Sequence, residues 1–476
     1  GRRPWTECAR HNLARVDGFR RPLKIPNPRS FTELATTIET LWPLLNLHLK
    51  SSHLSISGPV ATRTLERALR PRFRFGEKPK FRARDWAGQR FVLQSDVSQF
   101  YASVYTHSIA WALHGKSHAK ANIGKTDGDR LDKALRAGSG GQTVGIPIGP
   151  DTSFLMAEVV LTAVDSALAA AIPDLRGFRY LDDYELAFRS RSQAEEAQVL
   201  LEAALADYEL AINPAKTSIL ELPEPFQDQW PHELLTFPIR DRPIQAANDL
   251  VALFSRAADL AKPSPGALKY ALLRSRDVTL TKEFWRTFQH LVWASVSAEP
   301  TTTATALDLL LMKSQEVGEE LDAGEAADVL GGLVLVNAPV RNSSEVVWAL
   351  WAATALNVEL SAAAAAAVSD VEDDFVALLA LHGEAVGTLP PASLDRSRWE
   401  NLVDHDDVMT GPHWLLAYEG AAHGWLPAAA KRVAKDAFFK KLAVQDVRFL
   451  DPEATRAPFT GSAGPLPGGQ VPEDYL

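Results

Sequence analysis

The chain has 476 residues, is 46% hydrophobic and 23% charged, carries a formal net charge of −9 and has one cysteine, Cys8. That length has room for two or three domains and at least one large core. A lone cysteine excludes an intrachain disulfide and a cysteine-built zinc site, which fits a reducing compartment.

No apolar run reads as a membrane span, and the Arg-rich opening GRRPWTECARHN does not read as a secretory signal. A cytoplasmic protein with no membrane partner is therefore expected. Residues 1–245 mix short β-like runs with helical segments, whereas from Ala246 onward the pattern is Ala/Leu/Val-rich and helical. The expectation is an α+β domain over 1–245, an all-α domain of stacked, repeat-like helices over 246–460, and a flexible Gly/Pro-rich tail over 461–476. The alanine run Ala362 to Ala367 reads as a close helix–helix contact.

Along the first domain the earliest chemical signal is charge. Between Val60 and Arg90 stand ten Lys/Arg against three acids, with Phe73, Phe75, Phe81 and Trp86 interleaved. Arg63, Arg67, Arg72, Arg74, Lys78 and Lys80 are candidates for contacting nucleic-acid phosphates, with the aromatics as stacking platforms. A solvated charged face that binds nothing is the alternative. The next run, FVLQSDVSQFYASVY, reads as a strand that ends in Asp96 before a helix start. In GKTDGDR, Asp127 and Asp129 lack the ligand spacing and closing Glu of a calcium loop and read as a loop tip.

In FRYLDDYELAF, the residues Phe178, Tyr180, Tyr184, Leu186 and Phe188 fall at every second position, the period of a half-buried strand. Asp182 and Asp183 interrupt the run where a hairpin can turn. Adjacent carboxylates repel, and a proton or a cation must offset that cost. With Asp96 as a third acid, the hard-oxygen set suits Mg²⁺, waters and substrate phosphates completing the octahedron. Two such ions can activate an attacking hydroxyl and stabilise a leaving phosphate oxygen.

The ordered series SDVSQFYASV, GQTVGIPIGPDTSFLMAEVV, YLDD and INPAKTS resembles the palm motifs of reverse transcriptases, over roughly the first half of the chain. The resemblance implies the fingers and palm of a right-hand polymerase that transfers nucleotides from dNTPs into a DNA product. It implies that Asp96 and Asp182 hold two Mg²⁺ ions, for which Mn²⁺ is a substitute. Asp183 would be a less intimate third carboxylate and the Val97 carbonyl a further ligand. Tyr101, five residues after Asp96, matches the family's aromatic that lies under the sugar and blocks a 2′-hydroxyl; a core aromatic is the other reading. In GIPIGP, Gly145 and Gly149 let backbone approach a base pair closely. Pro147 and Gly149 are candidate nucleotide contacts, while Ile148 departs from the Pro-Gln-Gly with which most of the family handles its template. Lys216 matches a lysine near the leaving pyrophosphate, a candidate proton donor; a surface lysine is the alternative.

The GIPIGP loop, the segment RPLKIPNPRSFTELATTIETLW and the helical half with RNSSEVVWALW resemble bacterial abortive-infection and unknown-group antiphage defence reverse transcriptases. In that group a helical domain stands in place of the thumb. The resemblance implies a defence role, an RNA template, a noncoding RNA or no template at all, and priming from a protein hydroxyl. Tyr270, Tyr418 and Tyr475 are the tyrosines outside the palm half. The apolar helical half could also supply a homo-oligomer interface. Two rivals stand beside this reading: a catalytically silent palm serving as a nucleic-acid-binding scaffold or toxin, and a nucleotide cyclase. The cyclase also uses paired carboxylates but needs neither Tyr101, nor GIPIGP, nor the basic block.

Overall fold

The computed structural model describes residues 4–15, 18–63, 67–262 and 264–451. In chain order, strands β1 (Ala9–Ala14) and β2 (Arg20–Ile25) pair, helix α1 (Pro28–Leu49) follows, and β3 (Pro59–Ala61) pairs with β4 (Leu69–Pro71). Next come α2 (Lys78–Trp86), β5 (Phe91–Asp96), α3 (Phe100–Ser103), α4 (Ser108–His114), α5 (Lys116–Ala121), α6 (Asp127–Ala137) and the long α7 (Asp151–Ala171). The β6 (Arg176–Tyr180) and β7 (Asp183–Phe188) hairpin, α8 (Arg191–Ala206) and β8 (Ser218–Glu221) lead into helices α9 (Gln229–Leu235) through α21 (Ala437–Val444).

The described chain divides into two units, one of residues 4–8 and Lys24–Gln227, the other of Ala9–Leu23 and 228–451. The helical unit thus starts before the expected residue 246; its C-terminal part is all helical as expected, and most of the β1–β2 hairpin joins it from the start of the chain. Strand β1 packs on α15 (Ser343–Leu356) and α17 (Asp374–Val386). His11 Nδ1 lies 3.1 Å from Asp373 Oδ2, and Arg20 Nη1 donates to Glu345 Oε2 at 2.6 Å. Partners more than 300 residues apart leave no local trace in the sequence. In α16 (Ala362–Ser369) the alanine run is helical, with Ala364 and Ala365 buried.

The first unit is organised by a four-stranded antiparallel sheet in the order β6-β7-β5-β8. Apolar residues on α1 at Leu34, Ile38, Leu41, Leu45 and Leu49 recur at helical spacing and join a core with α7, α8 and one sheet face. Residues expected to share one face of FRYLDDYELAF lie on two. Tyr180 pairs with Asp183 and Arg179 with Tyr184, so the two-residue turn swaps parity between the strands. Tyr184, Leu186 and Phe188 join the main core, while Phe178 and Tyr180 pack on the other face with Ile56, Phe73 and Phe81. Both faces are therefore covered near the hairpin.

Helix α7 is long and apolar enough to cross a membrane by length and composition, which the sequence reading did not register. In this fold it is the central core helix, and its acids Glu158 and Asp165 point at Arg179 of β6. Asp127 and Asp129 lie in the first turn of α6 rather than at a loop tip. Thr126 and Asp129 form a capping box there, satisfying backbone N–H groups that a helix start leaves open.

Candidate active site

Asp96 ends the central strand β5, and its direct partner on β7 is Asp183. Residues directly opposite in an antiparallel pair project from the same face, so these two carboxylates share one end of the sheet. Asp182 occupies the hairpin turn, and its carbonyl accepts from the Val97 N–H at 3.2 Å.

Two residues here have left-handed backbone without being glycine: Leu181 at φ +52° and Gln99 at φ +44°. Such conformations cost on the order of 1–2 kcal/mol and persist where surrounding contacts over-determine them. For Leu181 the contacts are explicit. Its N–H donates to Ser57 Oγ at 2.7 Å, and its carbonyl accepts from Arg179 Nη1 at 2.7 Å. Arg179 is wholly buried and forks onto Asp165 and Glu158, with Nη2–Oδ2 at 2.7 Å and Nη1–Oε1 at 3.0 Å. Ser52 and the Tyr184 hydroxyl donate to Asp165, and Ser55 and Ser57 donate to Glu158. Burial opposes the Arg179 charge, yet the two carboxylates outweigh it and hold the guanidinium well above its usual value. The dry side of the hairpin is thus a closed charge network.

The other side is short of compensation. Burial, then repulsion from Asp183 and Asp96, pushes the Asp182 carboxyl up to about 6. Burial also raises Asp183, with Lys78 pulling against it and Asp96 adding to it. Lys216 Nζ donates to Asp96 Oδ2 at 3.0 Å and Asn213 Nδ2 to Asp96 Oδ1 at 3.1 Å, while the Asn213 N–H bonds the Asp96 carbonyl at 2.7 Å. Lys78 Nζ lies 3.7 Å from Asp183 Oδ2 and 3.3 Å from Glu185 Oε1.

Among the described residues no three His, Cys, Asp or Glu side chains converge as a ready cation cage. Asp96 and Asp183 are each held by a lysine instead. The donor set nonetheless fits a hard divalent cation. Burial and like-charge repulsion raise the proton affinity of Asp182 and Asp183, and a divalent ion relieves the same repulsion. The Val97 carbonyl, beside them, accepts no backbone hydrogen bond among the described residues.

Residues 38–239 match the sequence profile of the family described as reverse transcriptase (RNA-dependent DNA polymerase). A reverse transcriptase domain is present. Among solved structures, the chain is similar at 11% identity to apo telomerase from Candida tropicalis, over 69% of this chain and 61% of that one, with a TM-score of 0.35. It is also similar at 11% identity to telomerase from Candida albicans in complex with a TWJ fragment of telomeric RNA, over 72% of this chain and 65% of that one, with a TM-score of 0.30. The chain spans less than two thirds of either telomerase chain. No curated protein matches it.

Within the reverse transcriptase domain, Tyr101 is half-buried, its ring edge-on to Phe100 at 5.6 Å, and its carbonyl accepts from Ile146 N–H at 2.8 Å. This ties the GIPIGP loop to the segment after Asp96. At Gly145, with φ +87°, an added Cβ would stand 3.1 Å from the Ala102 carbonyl oxygen. Gly149 is exposed at φ +124°, whereas Pro147 is buried beside α1 and α6 and is a packing residue rather than an open nucleotide contact.

The basic block is neutralised only in part, and its buried members turn towards acids rather than solvent. Lys78 is buried against Asp183 and Glu185; Arg82 forks onto Glu185 at 2.7 and 2.8 Å; Arg67 pairs with Asp151 and Lys80 with Glu77. Arg63, Arg72 and Arg74 are exposed. Lys78 therefore acts at the acid cluster, not along a strand. Of the candidate priming residues, Tyr418 is a core side chain, packed on Phe439 and Phe449 with its hydroxyl donating to the Val447 carbonyl at 2.7 Å. That corrects its candidacy, since a bonded hydroxyl in a closed core has no access to a nucleotide. Tyr270 is half-buried against Trp230 at 5.0 Å, and Tyr475 lies outside the described residues.

Sequence reasoning missed Asn213, Lys78 in its role at Asp183, and the Arg179 network. A signal for the network did exist. Glu158 and Asp165 stand seven residues apart, on one face of an otherwise apolar helix, and Arg179 sits in an apolar strand.

Proposed function

We propose that the chain is a DNA polymerase of the reverse transcriptase type, joining dNTPs at the end formed by Asp96, Asp182 and Asp183. The observation that carries this reading is the cross-strand pairing of Asp96 with Asp183 beside an Asp182 raised to about 6. In this reading Asp96, Asp182, Asp183 and the Val97 carbonyl hold Mg²⁺. When bound, the cation neutralises the acids, activates the attacking hydroxyl and stabilises the leaving oxygen. The chain's own residues do the positioning. Asn213 orients the Asp96 carboxylate, and the Leu181 turn, pinned from beneath, orients Asp182. Lys216, on Asp96 at 3.0 Å but 60% exposed, has the reach to swing towards a leaving pyrophosphate and donate a proton. Tyr101, tied to the GIPIGP loop, would lie under the incoming sugar and favour a DNA product.

The finer reading follows the subfamily resemblance: an antiphage defence enzyme of the cytoplasm that works from an RNA template or from none. Ile148 in place of the glutamine favours the untemplated case. With Tyr418 withdrawn, Tyr475 and Tyr270 are the priming candidates.

The test incubates purified chain with Mg²⁺ and labelled dNTPs, either alone or with a primed RNA template, beside the Asp182→Ala/Asp183→Ala double variant. Wild-type incorporation that the variant lacks, with nucleic-acid binding retained, supports the polymerase. Label made without template that moves with the protein until protease treatment supports protein priming. No incorporation by the wild type under any of these conditions favours a silent nucleic-acid-binding palm instead. For the defence role, unchanged phage plating across a broad panel on expression counts against it.

A further inference from the structure

With Lys78 and Arg82 of the basic block committed to acids, the exposed Arg63, Arg72 and Arg74 need not be the only cations that meet the phosphates of a strand. A second cationic stretch follows. From His114 to Lys125 the chain has three lysines and two histidines and no acid. We infer that the cleft between α5 and the end of α8 is a phosphate-binding site for a nucleic-acid strand.

The cleft has a volume of about 410 Å³ and is lined by Lys116, Ser117, Lys120, Asp207 and Tyr208. Lys116 and Lys120 are four residues apart and share one face of α5. Both ammonium groups lie over the buried Trp111 ring, at 4.5 and 5.3 Å from its centroid. That contact steadies each cation but brings two like charges together, a juxtaposition an anion relieves. Lys116 donates to the Asp207 main-chain carbonyl at 2.6 Å and stands 3.8 Å from the Glu209 carboxylate, while the Asp207 carboxylate is an acid at the cleft's rim that a bound phosphate must face. Lys120 forms no ion pair among the described residues, so its charge is unspent. The Ser117 and Tyr208 hydroxyls have no hydrogen-bond partner among the described residues. Burial and the nearby Asp207 raise the Tyr208 phenol, so it stays protonated and able to donate. Two ammonium groups and two hydroxyl donors around an open cleft match a phosphate's acceptor oxygens.

Trp111 is buried under the lysines and offers no free ring to a base. Recognition here is through phosphates and independent of sequence. The chemistry would also take a free polyphosphate; the choice of a strand over it rests on the polymerase reading.

The test measures binding of full-length chain to a fluorescent 20-nucleotide single strand of DNA, and of RNA, by anisotropy across a salt series. Lys116 is left intact because it caps α8. The variants are Lys120→Gln, Tyr208→Phe and Lys120→Gln/Lys125→Gln, with Lys133→Gln, exposed on α6 and outside the cleft, as the charge control. Expected is a several-fold loss of affinity for Lys120→Gln, deepened in the double variant, and a log–log salt slope shallower by about 0.7 per lysine lost. A smaller loss is expected for Tyr208→Phe, with Lys133→Gln close to wild type. Equal losses in Lys120→Gln and Lys133→Gln, or none in the double variant, would overturn the site. Inorganic tripolyphosphate binding that needs Lys120, while strand binding does not, overturns the strand and leaves a small-polyphosphate pocket. Strand binding that needs Lys120 in a chain that incorporates no nucleotide sinks the polymerase reading and leaves this cleft standing.

Discussion

The two sides of the β6–β7 hairpin carry acids in opposite states. On the core side, Glu158 and Asp165 are fully buried, yet Arg179, Tyr184 and three serines meet their oxygens. On the open side, Asp96, Asp182 and Asp183 crowd together with two lysines and an asparagine between them, and Asp182 is pushed up to about 6. Charge buried for structure is closed off by partners, because an unpaired charge in a dry interior costs several kcal/mol. Charge left short of partners at a sheet end is held in readiness for something that arrives. The backbone joins the two states, since Arg179 and Ser57 grip the Leu181 turn that presents Asp182.

Substitutions should separate the two sides, and the largest contrast is in activity. Asp182→Ala should abolish nucleotide incorporation while leaving the unfolding free energy equal to or above that of wild type, because it removes repulsion; denaturant melts beside incorporation assays check both halves. Arg179→Leu should do the reverse in kind, costing about 3–5 kcal/mol in stability by stranding two buried carboxylates. Chemical unfolding reads this, and a loss under 1 kcal/mol would show that the core network is not what holds the hairpin.

Lys216→Ala should slow incorporation on the order of 10²-fold, the range of a lost proton donor, with little change in melting. A rate that stays at the wild-type value would assign the Lys216–Asp96 pair to charge balance alone. Acidity tests the open side directly. Asp182 binds its proton more tightly in the folded chain, at about 6, than at its ordinary value near 4. Between those values the folded state holds more protons than the unfolded one, so stability should fall as pH rises through the window and level off above it. For metal-free protein the drop is up to about 3 kcal/mol, and Asp182→Asn should flatten it. Ser57→Ala, which leaves the Leu181 N–H without its acceptor, should cost about 1–2 kcal/mol and lower the incorporation rate more than it raises KM.

The candidate site was largely legible in the sequence because its parts are local. An acid ending a strand, an acid pair at a hairpin turn, and an Asn-Pro-x-Lys turn each announce themselves within a dozen residues, and the order of the motifs does the rest. What misled was whatever depended on partners across the fold. In the Val60–Arg90 block, Glu185 and Asp151, far along the chain, take up Lys78, Arg82 and Arg67, while Arg63, Arg72 and Arg74 stay exposed. Tyr418 looked available and is sealed by Phe439 and Phe449.

By itself, then, the sequence determined the α+β palm followed by helices, the hairpin, and the three acids, because strand period, turn chemistry and like-charge repulsion act between near neighbours. Tertiary structure alone decided which charges are spent and which are free. It set Arg179 beneath Leu181, sent most of the β1–β2 hairpin to the helical unit, and left Lys120 over Trp111 with no ion pair among the described residues. The physical reason is that ion pairing and burial depend on distance in space, which pattern along the chain does not encode.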